Sequence, residues 1–169
     1  MDLIAKLQNL LYKHIPLAKH MGVEIAKFNG KDLSLTAPLE PNINDKETAF
    51  GGSLYSIAVL CGCGLLELKC IEACIKVETV IHKAQVKYML PVNGPFIARS
   101  SIDENDWSLF LPLLKEGKRI RIPLNVDIFC NGEKVLSFFG KYVLKPDEEK
   151  HYTHYKDPCI LGKPHGKES

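Results

Sequence analysis

This chain lacks the sequence signals that are typical of nucleic-acid-binding, membrane-spanning and secreted proteins. Its formal net charge is only +2 over 169 residues, and its lysines and arginines are spread along the chain, which argues against nucleic-acid binding. We find no apolar run as long as a membrane span needs, and segment 1–14 lacks the features of a signal peptide. The sequence therefore predicts a soluble, cytoplasmic protein that does not bind membranes.

The cysteines show no spacing typical of a metal or redox site. Six are present, at positions 61, 63, 70, 74, 130 and 159, and none forms a CxxC pair. Small buried thiols are the expected reading in a reducing compartment. The tail carries His151, His154, His165 and Cys159, but their irregular spacing does not predict a metal site. We therefore expect no metal ion and no resident cofactor.

The first half of the chain predicts a helix, two strands and a second, buried helix. Leucines at helical spacing open the chain, and Pro16 interrupts that helix. Strand-like runs at 23–28 and 32–39 flank Asn29-Gly30, a strong hairpin signal. From Leu54 to Leu66 almost every residue is apolar or small, as expected for a helix surrounded by protein. Gly62 and Gly64 predict close packing of that helix against a sheet.

The second half predicts four strands in an antiparallel meander. Segments 76–90, 96–102, 119–130 and 135–144 alternate in polarity, and residues 103–114 predict a short helix capped by an acidic turn. In the first of these strands we expect Val80, His82 and Tyr88 on the apolar side. Pro123 predicts an edge position or a bulge. The sequence thus predicts an α+β domain over 1–144, one long helix against a curved antiparallel sheet, followed by a polar tail over 145–169.

Two adjacent glycines stand at the predicted start of the buried helix. The first N–H groups of a helix have no partner within it and carry partial positive charge. Gly51 and Gly52 lack side chains, so a thioester carbonyl could approach these donors and use them as an oxyanion hole. The alternative is that the two glycines only permit tight packing where the loop meets the helix.

This segment resembles a known family. Its pattern is similar to the hotdog domain at the C-terminus of YiiD-type proteins, a thioesterase family, in Asn42-x-Asn44-Asp45-Lys46-x-Thr48-Ala49-Phe50-Gly51-Gly52-Ser53-Leu54-Tyr55. Val80-Ile81-His82-Lys83 and Tyr88-x-x-Pro91-Val92 also look similar. The resemblance covers about 16–144. It implies the hotdog fold, a homodimer or tetramer with sites between subunits, and an acyl thioester substrate on coenzyme A or acyl carrier protein, whose phosphopantetheine belongs to the substrate.

One position departs from the related His-Gly-Gly pattern, because Phe50 precedes the glycines and cannot transfer a proton. Hydrolysis needs an activated water, so Asp45 is the candidate base, with a turn-stabilising role as the alternative. Decarboxylation of a malonyl thioester needs no base. There Asn44 and Ser53 would orient the carboxylate, and a Gly51 or Gly52 N–H would stabilise the enolate; their alternatives are loop capping and a bond within the helix.

Further residues are assigned to substrate binding, each with a structural alternative. Aromatic residues at a helix–sheet junction are often part of a core, and a histidine on an apolar face is often a hydrogen-bonded core residue. The assigned residues are Asn42, Phe50, Tyr55, His82 and Tyr88. The leading hypothesis is therefore a thioester hydrolase, with a malonyl-thioester decarboxylase and a non-catalytic thioester-binding module as alternatives.

Overall fold

The computed structural model describes residues 3–147. Two short helices open the chain, one long helix lies in its middle, and six strands form one sheet. The elements are α1 (Leu3–His14), α2 (Pro16–His20), β1 (Glu24–Phe28), β2 (Asp32–Ala37), a 3₁₀ turn (Glu40–Asn42), α3 (Gly51–Glu72), β3 (Val77–Tyr88), β4 (Phe96–Ser101), α4 (Glu104–Lys115), β5 (Ile120–Cys130) and β6 (Glu133–Pro146). The part of the predicted tail that follows Asp147 lies outside the described residues.

All neighbouring strands are antiparallel, and their order is β1-β2-β4-β5-β6-β3. The long helix α3 packs against β2, β3, β4, β5 and β6. Inward-facing aliphatic and aromatic residues of these strands meet α3 in one core. This arrangement confirms the predicted α+β architecture and the hotdog fold.

The predicted meander is wrong at one strand. β3 does not pair with β4, which follows it in the chain, but crosses to the far edge and pairs with β6 from Val77↔Pro146 to Tyr88↔Leu136. Polarity alternation locates a strand but does not identify its neighbour. The crossover leaves the outer edge of β3 without a partner strand among residues 3–147.

A bulge in β3 changes which side chains face inward. The register with β6 shifts between Ile81 and Lys83, at His82. An extra residue reverses the alternation, so Ile81 is partly buried whereas Val80 and His82 are exposed. The prediction that Val80 and His82 lie on the apolar side is therefore wrong.

The predicted close packing of Gly62 and Gly64 of α3 against the sheet is confirmed. A β-carbon at Gly62 would overlap the Tyr142 side chain, and one at Gly64 would lie 3.2 Å from Leu33 Cδ2. The Asn29-Gly30 turn is also confirmed, with left-handed φ at Gly30, and Asn131 and Gly132 adopt left-handed φ in the turn between β5 and β6. Pro123 pairs with Lys141 of β6 but lies beyond the end of β4, so it occupies a local edge.

Two sequence-based expectations need correction. Cys61, Cys63, Cys70 and Cys130 are free and at least partly buried, but Cys74 is in a disulfide bond. It lies in an exposed turn after α3 rather than in the core.

The helix Gly51–Glu72 is also long and apolar enough to cross a membrane by length and composition, contrary to our expectation. More than half of its most apolar window is buried inside the protein, as in the core helix of a globular domain.

Candidate active site

Helix α3 begins at Gly51 with two N–H groups that have no partner in the described part of the chain. Phe50 is the N-cap; its backbone is extended and no side chain caps the helix. The Phe50 carbonyl accepts from the N–H groups of Ser53 at 2.9 Å and Leu54 at 3.2 Å. The N–H groups of Gly51 and Gly52 make no hydrogen bond within 3–147. The positive end of the helix therefore presents two adjacent donors.

Two aromatic rings flank these glycines. The Phe50 ring lies against Gly52, where a β-carbon would overlap it, and the Tyr88 ring lies 3.4 Å from the β-carbon position of Gly51. The Tyr88 hydroxyl also donates to the Gly51 carbonyl oxygen at 3.0 Å. Phe50 and Tyr88 remain 58% and 51% exposed. They therefore form an open apolar wall on either side of the helix start.

Asn44 organises the loop that leads into the helix. Its Oδ1 accepts from the N–H groups of Lys46 at 2.8 Å and Thr48 at 3.2 Å, and from the Thr48 hydroxyl at 3.3 Å. Its side-chain NH₂ makes no hydrogen bond to a described residue. The carboxamide is thus held by its oxygen while its donor end stays available.

Asn42 anchors the same loop to the body of the domain. It is buried, and its NH₂ donates to the carbonyl oxygens of Met21 and Pro38, both at 2.8 Å. Its own carbonyl oxygen accepts from the Phe50 N–H at 2.7 Å. The Oδ1 atom of Asn42 is buried with no partner among the described residues. These bonds fix the position of Phe50 and hence the start of α3.

The remaining predicted site residues lie on α3, on the loop before it and on β3. Ser53 is partly buried one residue after the glycines, and Tyr55 makes an edge-to-face contact with Phe138 at 5.6 Å between ring centroids. Asp45 is exposed on the loop. His82 lies six residues before Tyr88 on β3, roughly 20 Å away along a strand. The structure therefore places Ser53 and Tyr88 at the helix start and Asn44 in the loop that leads into it, but does not bring His82 there within one chain.

Glu67 is an ionisable residue of α3 that the sequence patterns did not single out. From Gly51 to Leu66 the helix contains no charged residue or histidine, and Glu67 is the first. Desolvation raises the pKa of Glu67 to about 7. Burial, followed by the nearby Glu67 charge, raises the pKa of Cys63 to about 12. An acidic residue after an uncharged stretch of a buried helix was the signal that could have identified Glu67.

The fold and the helix start define the class of protein: a hotdog domain of the thioesterase type. The chain belongs to the family described as "Putative thioesterase (yiiD_Cterm)", whose model matches residues 4–146.

Solved structures agree with this assignment. A protein of Shewanella oneidensis described as a "putative thioesterase" is 30% identical, with a TM-score of 0.78 over 85% of this chain and 98% of its own. A protein of unknown function from Chlorobaculum tepidum is 35% identical, with a TM-score of 0.81 over 86% and 95%. A thioesterase of Haemophilus influenzae, 17% identical with a TM-score of 0.71 over 90% and 96%, shares the fold.

Proposed function

We propose that the protein hydrolyses an acyl thioester whose carbonyl oxygen binds the N–H groups of Gly51 and Gly52. The supporting observation is that these adjacent donors lack partners among residues 3–147, at a helix start with no side chain on either residue. Donors placed before the reaction at a developing oxyanion are usually the largest single catalytic contribution. The exposed rings of Phe50 and Tyr88 offer an apolar surface for the acyl group.

In this mechanism Asp45 acts as the general base. It accepts a proton from water while the water oxygen attacks the thioester carbonyl, and the resulting oxyanion is stabilised at Gly51 and Gly52. Collapse of the tetrahedral intermediate breaks the carbon–sulfur bond. The thiolate then takes up a proton, and the products are a carboxylic acid and a free thiol.

Decarboxylation of a malonyl thioester is a second candidate because of a specific observation. The first sixteen residues of α3 carry no ionisable acid or base other than cysteine and tyrosine, and decarboxylation needs none. The Asn44 NH₂ and the Ser53 hydroxyl, which have no partner in the described part, would hold the carboxylate. Its carbon–carbon bond breaks, CO₂ leaves, the enolate oxygen is stabilised by the glycine N–H groups, and protonation at carbon gives the acetyl thioester.

We also propose a homodimer, or a pair of dimers, formed through the free edge of β3. Gln8 of α1 covers the opposite edge: it donates to the Val23 carbonyl at 2.9 Å and accepts from the Ile25 N–H at 2.7 Å. The β3 side instead exposes Val80, Tyr88 and Leu90. Pairing of two β3 edges would satisfy their backbone groups and bring a second subunit close to Tyr88. We place such a protein in the cytoplasm, where coenzyme A and carrier-protein thioesters occur.

One assay separates the candidates. Acyl-CoA and acyl-carrier-protein substrates are incubated with the protein, and free thiol and CO₂ are measured together. Thiol release from non-malonyl substrates supports hydrolysis, and Asp45→Asn should then lower kcat by at least about 100-fold. Full activity of Asp45→Asn would disprove the assigned base. CO₂ and acetyl thioester without thiol would instead support decarboxylation.

Asn44→Asp is the matched variant for the decarboxylation candidate. An aspartate keeps an oxygen acceptor for Lys46 and Thr48, so the loop remains folded, but it removes the NH₂ donor and adds a charge that repels the substrate carboxylate. We expect a loss of at least about 100-fold in decarboxylation with little change in Tm. Thioester binding with neither product, in a folded dimer, would show a non-catalytic binding module and refute both reactions.

A further inference from the structure

The two free donors at the start of α3 belong to two successive peptide units. The Gly51 N–H shares its unit with the Phe50 carbonyl, and the Gly52 N–H shares its unit with the Gly51 carbonyl. A peptide unit is planar and stiff, so a group that binds its oxygen also orients and polarises its N–H on the opposite side. The partners of these two carbonyl oxygens therefore act on the candidate oxyanion hole.

Each of the two carbonyl oxygens accepts two hydrogen bonds. The Phe50 oxygen accepts from the N–H groups of Ser53 and Leu54. The Gly51 oxygen accepts from the N–H one helical turn further on, as in any regular helix, and from the Tyr88 hydroxyl at 3.0 Å. Among residues 3–147, Tyr88 is the one side chain that hydrogen-bonds to either of these peptide units. Without its hydroxyl the Gly51–Gly52 unit would lose one of its two bonds.

The fold fixes both ends of this contact. Tyr88 is the last residue of β3 and is paired with β6. A little further along, the carbonyl of buried Val92 accepts from the Ala49 N–H at 2.8 Å. This bond ties the segment after β3 to the loop that enters α3, one residue before Phe50. The Tyr88 hydroxyl is therefore held at the Gly51 oxygen before any substrate binds.

The Tyr88 hydroxyl also keeps the proton that it donates. Burial, followed by nearby Tyr55, raises the pKa of Tyr88 above its ordinary value, so the group is a neutral phenol at neutral pH. A phenolate in this place would repel both the Gly51 oxygen and a developing oxyanion, whereas a neutral phenol polarises the peptide without adding negative charge.

We infer that Tyr88 is a positioning residue, whose hydroxyl orients and polarises the Gly51–Gly52 peptide unit so that the Gly52 N–H binds the thioester oxygen. This inference rests on the proposed function. It gives the hydroxyl a role of its own beside the apolar wall that the ring provides, and the hydroxyl acts through the peptide rather than by touching the substrate. Hydrolysis and decarboxylation would use it equally, because both place negative charge on the same oxygen.

The first test is kinetic. Tyr88→Phe keeps the ring and removes the hydroxyl, so the apolar wall is unchanged while the bond to Gly51 is lost. We expect kcat to fall by about 5- to 10-fold, less than for loss of an oxyanion-hole donor itself, and KM to stay within about twofold. Tyr88→Ala also removes the ring and should raise KM as well. An unchanged kcat in Tyr88→Phe, or a rise in KM alone, would overturn the inference.

Tyr12→Phe is the matched control for the loss of a tyrosine hydroxyl. Tyr12 lies on α1, which packs against β1 at the opposite edge of the sheet from β3, and its side chain is hydrogen-bonded to Gln8. Its kcat and KM should equal those of the wild type. The same loss of kcat in Tyr12→Phe as in Tyr88→Phe would overturn the inference, because the effect would not depend on the bond to Gly51.

A second readout does not depend on turnover. The probes are ketone analogues of acetyl-CoA and palmitoyl-CoA, in which a methylene group replaces the sulfur so that no thiol can be released. Stronger hydrogen bonds to the ketone oxygen lower its carbonyl stretching frequency, which infrared spectroscopy measures. We expect the frequency to be lowered on binding to the wild type and to Tyr12→Phe, and to be lowered less on binding to Tyr88→Phe.

This readout separates failure of the inference from failure of the proposed function. An equal lowering in the wild type and Tyr88→Phe would overturn the role of Tyr88 and leave the proposed function standing. A lowering that depends on Tyr88, in a protein that releases neither thiol nor CO₂, would support the role of Tyr88 and refute both reactions. No lowering in the wild type with either analogue would show that the glycine N–H groups do not bind the carbonyl, and would overturn both.

Discussion

The Tyr142 side chain occupies the space that a β-carbon at Gly62 would need. Helix α3 thus approaches β6 closely at this point, and the Tyr142 hydroxyl is buried there without a hydrogen-bond partner among the described residues. The position of α3 over the sheet, and with it the position of its N-terminus, depends on this contact. The glycine is needed here because of packing rather than backbone conformation.

Gly62→Ala should therefore destabilise the protein by about 2 kcal/mol or more, because overpacking outweighs the gain in helix propensity. Urea unfolding followed by circular dichroism measures the change. Gly64→Ala is the matched control: its β-carbon would meet only the end of the Leu33 side chain, and the cost should stay below about 1 kcal/mol. Tyr142→Phe should be nearly neutral, since the lost hydroxyl has no described partner, and should partly rescue Gly62→Ala. No rescue would contradict the proposed contact.

The sequence predicted the parts of this fold that depend on local pattern. The apolar run from Leu54 to Leu66 correctly indicated a buried helix, and Asn29-Gly30 correctly indicated a hairpin. The pairing of β3 with β6 was not predictable, because alternation does not encode a strand's neighbour. The bulge at His82 was missed for a related reason. One inserted residue reverses which side chains of the strand face the core, and it leaves no signature in the composition.

The candidate site was predicted only in part for the same reasons. The glycines were identified from their place before an apolar helix, since free N–H groups are a property of every helix start. The bond from the Tyr88 hydroxyl to the Gly51 carbonyl, and the ring of Phe50 against Gly52, depend on residues brought together by tertiary packing. The role of Asn42 in anchoring the loop likewise depends on Met21 and Pro38, which sequence spacing does not connect to it.

Gln8 should protect the β1 edge of the sheet. Its side chain bonds to both Val23 and Ile25 of the edge segment, so Gln8→Ala should cost about 1–2 kcal/mol and increase aggregation. Urea titration and light scattering measure the two effects. Gln8→Glu keeps an acceptor for the Ile25 N–H and should approach wild-type stability below about pH 4, where its carboxyl group is protonated. Equal damage by both variants at low pH would argue against these hydrogen bonds.

Lys69 and Glu104 should respond unequally to substitution. The Lys69 side chain is 6% exposed and its ammonium lies 2.7 Å from the Glu104 carboxylate, which is 58% exposed; it also lies 5.2 Å from the centre of the Trp107 ring. Glu104→Ala leaves a buried cation without its partner, so it should cost about 2 kcal/mol. Lys69→Met leaves a carboxylate that water can solvate, and should cost about 1 kcal/mol or less. The reverse order in urea unfolding would refute this account.

Glu67 should make stability depend on pH between about 4.3, its usual pKa in an unfolded chain, and about 7, its pKa in the folded protein. Desolvation raises the folded-state pKa, so in this range the folded chain holds a proton that the unfolded chain has released. The contribution of Glu67 is therefore most favourable below about pH 4.3 and is lost as the pH rises to about 7.

Glu67→Gln removes this titration, because its neutral amide resembles the protonated acid. The variant should gain stability over the wild type progressively from pH 4.5 to 7.5, as measured by Tm in a series of buffers. Because Glu67 is exposed to solvent on the helix surface, water will reduce the size of the gain. Glu78→Gln, at an exposed position of β3, is the control for a simple loss of one negative charge. A parallel pH profile for the two variants would show that desolvation of Glu67 is not the cause.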